Sequence, residues 1–473
     1  MKTLLINPAF SQYGGLQGHG GSVIPLNLCY LAAYVRQQNP DIKIKIIDSE
    51  ILGLSHEETV SESKNFNPDI IGITANTCVF DSVINLISQL KLKLPNTKIV
   101  IGGPHPSALP KQSLIESGAH FTIAGEGEIT FNELVTYIKN KNAHWNEIDG
   151  LTYYNHNKSI ISNKPRELIE DLDILPFPAR DLLDNDLYSP PPTKRVGLGP
   201  NTLLTTGRGC PFSCGFCGAR TVWTQRTRIR KPEYIIKEIE ECIDKYNIHN
   251  FNLTDEFFTI NKQRTLKICN AIIEKKLNIS WICSSRAQFL DEEVLKIMKR
   301  AGCHEISFGI ESGNKEILKK INKSLDLNEA KRVIDLTKKV GITTHASYII
   351  GYIGETENTI KDTIKFSKKL NTHIAAFFIA SPLPGTPLYV EAKEKNYLRS
   401  DASWINYSPL SNVESVLKLP TISIQEIRKW HRKAIREYYL RPSYILLKIL
   451  SIRHWYDIVN LFGGLKLFFR IKK

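Results

Sequence analysis

The stretch Gly207-Arg-Gly-Cys-Pro-Phe-Ser-Cys-Gly-Phe-Cys-Gly218 places three thiols, those of Cys210, Cys214 and Cys217, at a C-x3-C-x2-C spacing. Three thiolates on one loop can hold three irons of a cubane iron-sulfur cluster and leave the fourth iron open to another ligand. A cluster that serves only electron transfer would normally be closed by a fourth cysteine. The spacing therefore predicts a [4Fe-4S] cluster that takes part in chemistry.

The residues around the three thiols suit a cluster loop. The neighbouring glycines permit a tight backbone and let N–H groups approach the sulfides, and Phe212 and Phe216 would keep water away. The alternatives are three ordinary buried cysteines or a zinc site. Zinc sites usually show paired C-x2-C units or histidine partners, and neither follows here, so the cluster is favoured.

Length and composition set the broad class of the protein. With 473 residues, 42% of them hydrophobic, the chain exceeds what one core usually serves, which predicts two or three globular domains. Nine cysteines without secretory features argue for a reducing, cytoplasmic compartment. The apolar run before Pro8 is too short for a signal peptide, and no apolar run is long enough to predict a membrane-spanning helix.

Residues 1 to about 145 alternate short apolar strands with amphipathic helices, which predicts a doubly wound, Rossmann-like α/β domain. Such sheets bind ligands at the carboxyl ends of their strands. The candidate loops there are Asn7-Pro8, Thr74-Ala-Asn76-Thr77, Gly102-Gly103-Pro-His105-Pro and Gly125-Glu126-Gly-Glu128. Each loop alone is a weak signal, because a Gly-Gly-Pro turn is usually only backbone geometry and a lone histidine is more often a hydrogen-bonding residue than a ligand.

The remainder of the chain divides into three parts. Residues 146–200 are rich in proline and acidic residues and are predicted to form a linker. Residues 201–400 alternate strands and helices again, which favours a partial (β/α)6 barrel of the TIM type with its site at the carboxyl ends of the strands. The three-thiol loop follows the first of these strands. Residues 401–473 are predicted to form a basic helical C-terminal region.

At the three-thiol loop the sequence resembles the radical S-adenosylmethionine (SAM) superfamily. Members of that superfamily bind a [4Fe-4S] cluster through C-x3-C-x2-C and chelate the open iron with the amino and carboxylate groups of SAM. The resemblance implies that one electron from the reduced cluster cleaves SAM into methionine and a 5′-deoxyadenosyl radical, which abstracts hydrogen from an unactivated carbon. It also implies an electron donor such as a flavodoxin or a ferredoxin.

The same resemblance gives roles to polar residues at the ends of later strands. Asp255 and Glu256 correspond to an acidic segment beside the SAM amino group. Ser284 and Arg286 correspond to positions around the SAM ribose and carboxylate, and Glu311 to a position near the SAM-binding groove. Such a ligand needs carboxylates for its ammonium and hydroxyl groups and a guanidinium for its carboxylate. The alternative is that Glu311 and Arg286 form a structural ion pair.

The order of loops in the first domain looks like the cobalamin-binding domain that precedes many radical SAM domains. The residues that this resemblance assigns to cofactor binding are Thr74, Asn76, Thr77, Gly102, Gly103, His105, Gly125 and Glu126. The Asp-x-His-x-x-Gly signature that supplies a lower histidine ligand to cobalt in other cobalamin proteins is absent. Any corrinoid here is therefore predicted to lack that ligand. A degenerate domain that binds nothing is the alternative.

The net charge of +14 is concentrated near the C-terminus, since residues 421–473 hold twelve Lys or Arg and three acidic residues. Aromatic residues are interleaved with these cations, as in amphipathic segments that bind anionic membrane surfaces. The aromatic residues are Trp430, Tyr438, Tyr439, Tyr444, Trp455, Phe462, Phe468 and Phe469. The alternative is a basic helical lid packed on the barrel. No RNA-binding module accompanies them, so no nucleic-acid partner is expected.

The chain is identified as a member of the radical SAM enzymes that carry a cobalamin-binding domain. The leading expectation is cobalamin-dependent methylation of an unactivated carbon of a small-molecule or lipid substrate. The alternative is radical cyclisation, rearrangement or carbon-carbon bond formation on a tetrapyrrole or isoprenoid-type lipid without net methyl transfer. The expected location is the cytoplasm, with peripheral contact at the inner face of the membrane through the C-terminal tail.

Overall fold

The computed structural model describes residues 1–10, 23–189, 199–409 and 414–450, with the backbone alone for 447–450. The strands of its first sheet are β1 (Lys2–Asn7), β2 (Lys43–Asp48), β3 (Ile70–Thr74), β4 (Lys98–Gly102), β5 (Phe121–Ile123), β6 (Leu151–Tyr154) and β7 (Ile160–Ser162). In the described ranges they pair in the order β2-β1-β3-β4-β5-β6-β7, and β1 to β5 are parallel. These strands are apolar runs because helices cover both faces of the sheet.

Helices on the two faces enclose two separate cores. They are α1 (Leu26–Gln38), α2 (His56–Phe66), α3 (Phe80–Lys93), α4 (Pro104–Ala108), α5 (Pro110–Ser117) and α6 (Gly127–Lys139). Helices α1 and α6 pack together on one face, and α2 and α3 pack together on the other. This arrangement confirms the predicted doubly wound α/β domain.

The assignment of residues 146–200 to a linker is wrong for its first part. Strands β6 and β7 form an antiparallel hairpin that extends the first sheet beyond β5. The reason is local: Leu151 and Tyr153 are buried against the sheet, and Asn155 Oδ1 accepts hydrogen bonds from Asn157 N at 3.0 Å and Ser159 N at 2.9 Å to close the turn. After β7 the chain crosses to the second half of the protein.

A separate antiparallel pair is formed by β9 (Gly207–Arg208) and β10 (Arg228–Ile229). The second sheet contains β8 (Asn201–Leu204), β11 (Asn250–Leu253), β12 (Ser280–Ser285), β13 (Cys303–Glu311), β14 (Thr343–Ile350) and β15 (Ile374–Ile379). Among the described residues, its parallel order is β15-β14-β13-β12-β11-β8. The intervening helices are α7 (Ala219–Trp223), α8 (Pro232–Tyr246), α9 (Lys262–Glu274), α10 (Glu292–Arg300), α11 (Lys315–Ile321), α12 (Leu327–Lys339) and α13 (Glu357–Leu370). Six sequential parallel strands agree with the predicted partial barrel.

The C-terminal part contributes α14 (Pro387–Glu394), α15 (Ile424–Tyr439) and α16 (Pro442–Leu450). Helix α15 packs on β14, β15 and α13, and it buries Trp430 and Tyr438. Tyr439 Oη donates to Ala375 O at 2.8 Å and Tyr444 Oη donates to His373 O at 2.7 Å. These four aromatic residues therefore belong to a packed lid and not to a lipid-facing surface.

Trp455, Phe462, Phe468 and Phe469, which the sequence placed in the same amphipathic segment, lie outside the described residues. Across the described part of the chain, no helix combines the length and the apolar character that crossing a membrane requires.

Candidate active site

The three thiols lie on the loop between β9 and α7, at the carboxyl end of the second sheet. Cys210, Cys214 and Cys217 are half-buried and form no disulfide. Burial raises the pKa of Cys217 to about 11, and it also raises the pKa of Cys210, with the neighbouring thiols adding to both effects. The thiolates therefore need a positive partner, which bound iron would supply.

The backbone of this cluster loop fits a tightly held cofactor. A Cβ at Gly209, whose φ is +89°, would lie 2.1 Å from Arg226 O, and a Cβ at Gly215 would lie 2.5 Å from Tyr352 Oη. At Gly209 only glycine fits, because the opposing atom belongs to the backbone, whereas a side chain at Gly215 would displace the Tyr352 hydroxyl. No three His, Cys, Asp or Glu side chains gather closely enough to hold one metal ion anywhere in the described ranges, so the loop is not a preformed single-ion site. A cubane differs in this respect because it binds each thiolate through a separate iron.

Arg286 lies against the cluster loop. Its guanidinium carbon is 3.6 Å from the Phe212 ring centroid, and its Nη2 donates to Ser324 O at 2.9 Å. Its Nε is buried and has no hydrogen-bond partner among the described residues. A buried N–H without an acceptor is costly, so Arg286 is suited to receive a ligand carboxylate, the role expected of it.

Glu311 pairs with Lys323 and not with Arg286, which was its partner in the alternative interpretation of the sequence. Its Oε1 is 3.0 Å from Lys323 Nζ, and this pair is buried, whereas no ion pair with Arg286 is formed. Glu311 also has a φ of +67° beside a register shift of β13 against β14. A positive φ at a non-glycine residue is strained and often marks a functional site, and Glu311 combines this conformation with a buried ion pair at the end of β13.

The two neighbouring acids after β11 have separate environments. Asp255 is buried and accepts hydrogen bonds from Thr206 N at 2.7 Å and Thr206 Oγ1 at 2.5 Å, so it fixes the end of β8 and does not face the cavity described below. Glu256 lines that cavity, and burial raises its pKa to about 7. Ser284 is half-buried on β12 and also lies outside the cavity lining. Of these three, Glu256 is the residue placed to meet a ligand.

A cavity of about 960 Å³ joins the carboxyl ends of the two sheets. Its first-domain wall includes seven of the residues assigned to cobalamin binding: Thr74, Asn76, Thr77, Gly102, Gly103, Gly125 and Glu126. Its second-domain wall includes Thr205, Thr254, Glu256 and the residues Gly218 and Ala219 that directly follow Cys217. The structure thus brings seven predicted cobalamin-binding residues, Glu256 and the end of the cluster loop to one chamber, whereas Arg286 and Glu311 do not line it.

His105 is the exception among the predicted cobalamin-binding residues. Its side chain is fully buried, with ring centroids 4.0 Å from Phe80 and 4.5 Å from Trp404, and its Nδ1 is 3.3 Å from Thr77 Oγ1. Burial lowers the pKa of His105 to about 4. The residue packs beneath the Gly102-Gly103 turn, because the chain that follows the barrel returns with Trp404 to cover it. Its assignment to direct cofactor binding is therefore wrong.

A buried ion network joins the two halves beside the cavity. Arg208 Nη1 is 2.7 Å from Glu126 Oε1, Arg208 Nη2 is 2.5 Å from Glu128 Oε1, and Arg228 Nη1 is 2.7 Å from Glu126 Oε2. Burial alone would raise the pKa of Glu126, but Arg208 and Arg228 lower it overall. Arg208 also lies 4.8 Å from the Trp223 ring centroid. Sequence reasoning missed this network, because its partners lie 82 and 102 residues apart and no local pattern marks them.

Comparison with known proteins is consistent with this geometry. A model of the radical SAM superfamily matches residues 204–367, and a model of the B12 binding domain matches residues 19–135. An uncharacterized methyltransferase of Pyrococcus horikoshii is 35% identical over 98% of both chains. An anaerobic magnesium-protoporphyrin IX monomethyl ester cyclase of Rubrivivax gelatinosus is 29% identical, covering 84% of this chain and 70% of the relative.

Among solved structures, the fold is similar to that of the radical S-adenosylmethionine methyltransferase TsrM from Kitasatospora setae, solved with cobalamin and a [4Fe-4S] cluster bound. The TM-score is 0.71 at 16% identity, and the match covers 93% of this chain and 89% of the other. At that identity the similarity shows the fold alone, namely the order of a first α/β domain followed by a parallel six-stranded unit.

Proposed function

The chain belongs to the radical SAM enzymes that carry a cobalamin-binding domain, and from that premise we propose that it methylates an unactivated carbon with the help of a corrinoid. The observation that carries the proposal is the shared cavity, which is lined both by the B12-domain loops and by the end of the cluster loop. Methyl transfer to a carbon activated at the cluster requires both cofactors to reach one substrate, and a common chamber provides that proximity.

In this proposal Cys210, Cys214 and Cys217 hold the cluster, and Arg286 and Glu256 bind the carboxylate and polar groups of SAM. The cavity-lining residues from Thr74 to Glu126 contact the corrinoid. When bound, the cluster, SAM and cobalamin supply a hydrogen-abstracting radical and a transferable methyl group. The free Nε of Arg286 supports its role, because it is a buried donor placed beside the cluster loop.

The walls of the cavity define the kind of substrate. On the barrel side they include Leu203, Trp223, Phe378 and Leu383. Apolar side chains exclude water from a reactive carbon and favour an apolar portion of the substrate at that place. We therefore infer that the methylated carbon belongs to a hydrocarbon or aromatic part of a small molecule or lipid.

A second candidate is radical ring closure on a tetrapyrrole without net methyl transfer. The similarity to the R. gelatinosus cyclase over 84% of this chain favours it, and an apolar chamber of about 960 Å³ suits a large flat substrate. The two candidates differ in one product. Methylation consumes the methyl group of SAM and produces S-adenosylhomocysteine, whereas ring closure does not.

The test is an anaerobic incubation of the reconstituted full chain with cobalamin, reductant, SAM labelled with deuterium in its methyl group, and a cell extract. We expect 5′-deoxyadenosine, S-adenosylhomocysteine and a product that carries three deuterium atoms. Formation of 5′-deoxyadenosine with an unlabelled product would favour ring closure. Failure to form 5′-deoxyadenosine with any extract would contradict both candidates.

A further inference from the structure

The cluster loop has a second side that faces away from the cavity. Gly218 and Ala219 line the cavity, but Pro211 and Ser213 do not. On this other side Asn322 Nδ2 donates to Ser213 Oγ at 2.6 Å, and Gly215 N donates to Ile321 O at 2.7 Å. The loop therefore rests directly on the C-terminal end of α11.

This side is exposed, and it defines an outer face of the cluster loop. The outer face consists of Pro211, Phe289, Lys315, Lys319, Lys320 and Asn322, all of them exposed. Because Asn322 bonds to the residue that precedes Cys214, the surface lies one residue from a predicted iron ligand. An electron that enters here has little protein to cross.

The outer face is positively charged. Within the described residues, Lys315, Lys319 and Lys320 form no ion pair, and Lys315 and Lys319 lie on one side of α11 because they are four residues apart. Glu316 is the acidic residue on this short helix. Lys323, which follows, is withdrawn into its buried pair with Glu311 and adds no exposed charge.

An apolar centre accompanies these lysines. The Phe289 ring is 6.1 Å from Phe212 of the cluster loop and 4.8 Å from Phe257, yet Phe289 remains 38% exposed. Pro211 is exposed beside Phe212. Arg286 connects the two parts of the surface, because it stacks on Phe212 and bonds to Ser324 just beyond α11. Apolar contacts within a charged rim are typical of protein interfaces.

We propose that the outer face is the docking surface for a small acidic one-electron carrier protein that contains a flavin or an iron-sulfur centre. The inference rests on the proposed function, since it supplies the electron which that chemistry needs. One electron leaves the reduced carrier and enters the oxidised cluster; no bond forms and no proton moves. Acidic side chains of the carrier complement the three lysines and steer its approach.

A second basic surface provides a matched control. Helix α15 presents a groove lined by Lys368, Arg428, Lys429, Arg432, Lys433 and Arg436. This groove is separated from the cluster loop by the turn after β14: Ile427 packs within 3.1 Å of a Cβ position at Gly351, and Tyr352 is the residue that touches Gly215. A carrier bound there would be farther from the cluster, although the electrostatic attraction is at least as strong.

The experiment compares Lys315→Glu/Lys319→Glu with Lys429→Glu/Arg436→Glu in the reconstituted full chain, two variants with the same change of net charge. Stopped-flow absorbance follows cluster reduction by a reduced flavodoxin and, separately, by photoreduced deazariboflavin, an uncharged small reductant. We expect the α11 variant to be reduced by flavodoxin about tenfold or more slowly at low salt, and this difference to shrink at about 1 M salt. Reduction by deazariboflavin should match the wild type in both variants.

Unchanged flavodoxin kinetics in the α11 variant would overturn the proposal, as would equal slowing of both variants, which would indicate only general charge attraction. Slower reduction of the α11 variant by deazariboflavin would also overturn it, since the lysines would then act on the cluster itself. If deazariboflavin reduces the cluster but SAM is not cleaved, the proposed function fails while the docking surface stands. If the wild type contains no reducible cluster, both the proposed function and the docking surface are contradicted.

Discussion

Replacing Glu126 by Gln is expected to weaken the joint between the two halves of the protein. The Glu126 carboxylate accepts hydrogen bonds from Arg208 Nη1 and Arg228 Nη1, each at 2.7 Å, and from Ile169 N at 2.8 Å. Its side chain is only 2% exposed. Glutamine keeps the shape but removes the charge and one acceptor oxygen, so two buried guanidinium groups lose their shared counter-charge.

The expected loss is about 3–5 kcal/mol, the usual cost of leaving a buried charge without its partner. The measurement is the urea midpoint of the full chain at pH 7, followed by tryptophan fluorescence, together with proteolysis of the crossing segment after β7. Because the pKa of Glu126 is held below its ordinary value, its stabilising effect is complete above the unfolded pKa of about 4.3 and is lost as pH falls through the lower folded pKa. The difference between the wild type and Glu126→Gln should shrink over that acidic window.

Asp181→Asn is the matched control, because it breaks an ion pair of the same chemistry at the surface. Arg36 Nη1 and Asp181 Oδ2 are 2.7 Å apart, but their side chains are 43% and 47% exposed. Exposed pairs contribute about 0–1 kcal/mol, so this variant should remain close to the wild type. Equal midpoints for Glu126→Gln and Asp181→Asn would refute the view that the buried network holds the two halves together.

Three further outcomes are expected. Replacing Cys210, Cys214 and Cys217 together by Ala should abolish both the visible absorption of the cluster and SAM cleavage, and retained cleavage would contradict the assigned chemistry. Paramagnetic resonance of a bound Co(II) corrinoid should show no nitrogen splitting from a protein histidine, since His105 is buried away from the cavity and none of the described cavity-lining residues is a histidine; such splitting would disprove this. Burial raises the pKa of Glu355 from 4.5 to about 8, so wild-type stability should fall as pH rises through that window. Glu355→Gln should remove this pH dependence when urea unfolding is measured at pH 5 and at pH 8. If the wild type and the variant lose the same stability between these two pH values, the prediction is wrong.

The fold could be predicted in large part because both sheets are parallel and buried. Strands of this kind are short apolar runs separated by amphipathic helices, and the alternation predicted for residues 1 to about 145 is observed as β1 to β5 with α1 to α6. The β6–β7 hairpin was missed because its segment contains polar turn residues and precedes many prolines. Those features predict a loop, yet Leu151 and Tyr153 find a buried place beside β5. Burial of these two side chains in the tertiary structure outweighed the local turn signals.

The site could be predicted where its signal is local. The three-thiol spacing and the loop order needed no knowledge of distant residues, and seven of the eight predicted cobalamin-binding residues line one wall of the cavity. Partners far apart in sequence could not be predicted. Glu126 meets Arg208 and Arg228 across 82 and 102 residues, and neither pairing leaves a periodic pattern. The different environments of Asp255 and Glu256 likewise depend on Thr206, which lies between β8 and β9 and far from them in sequence.

The direction of α15 changes what the basic C-terminal region implies about the substrate. The helix begins beside Gly351, at the carboxyl end of β14, and ends beside Thr372 and Ala375, near the amino end of β15. It therefore runs antiparallel to the barrel strands. Its basic groove covers the side of the barrel, whereas the cavity opens between the carboxyl ends of the two sheets.

Contact of this groove with an anionic membrane would accordingly leave the cavity facing elsewhere, so membrane contact through α15 gives no support to a lipid substrate. The contact itself can still be tested by flotation with anionic vesicles. Truncation before α15 would be a poor test, because it would strip buried Ile427 and Tyr438 from the barrel core. Lys429→Glu/Arg436→Glu changes only exposed charge; if the groove binds headgroups, this variant should float less than the wild type at low salt. Equal flotation of the two proteins would show that any vesicle binding resides outside α15.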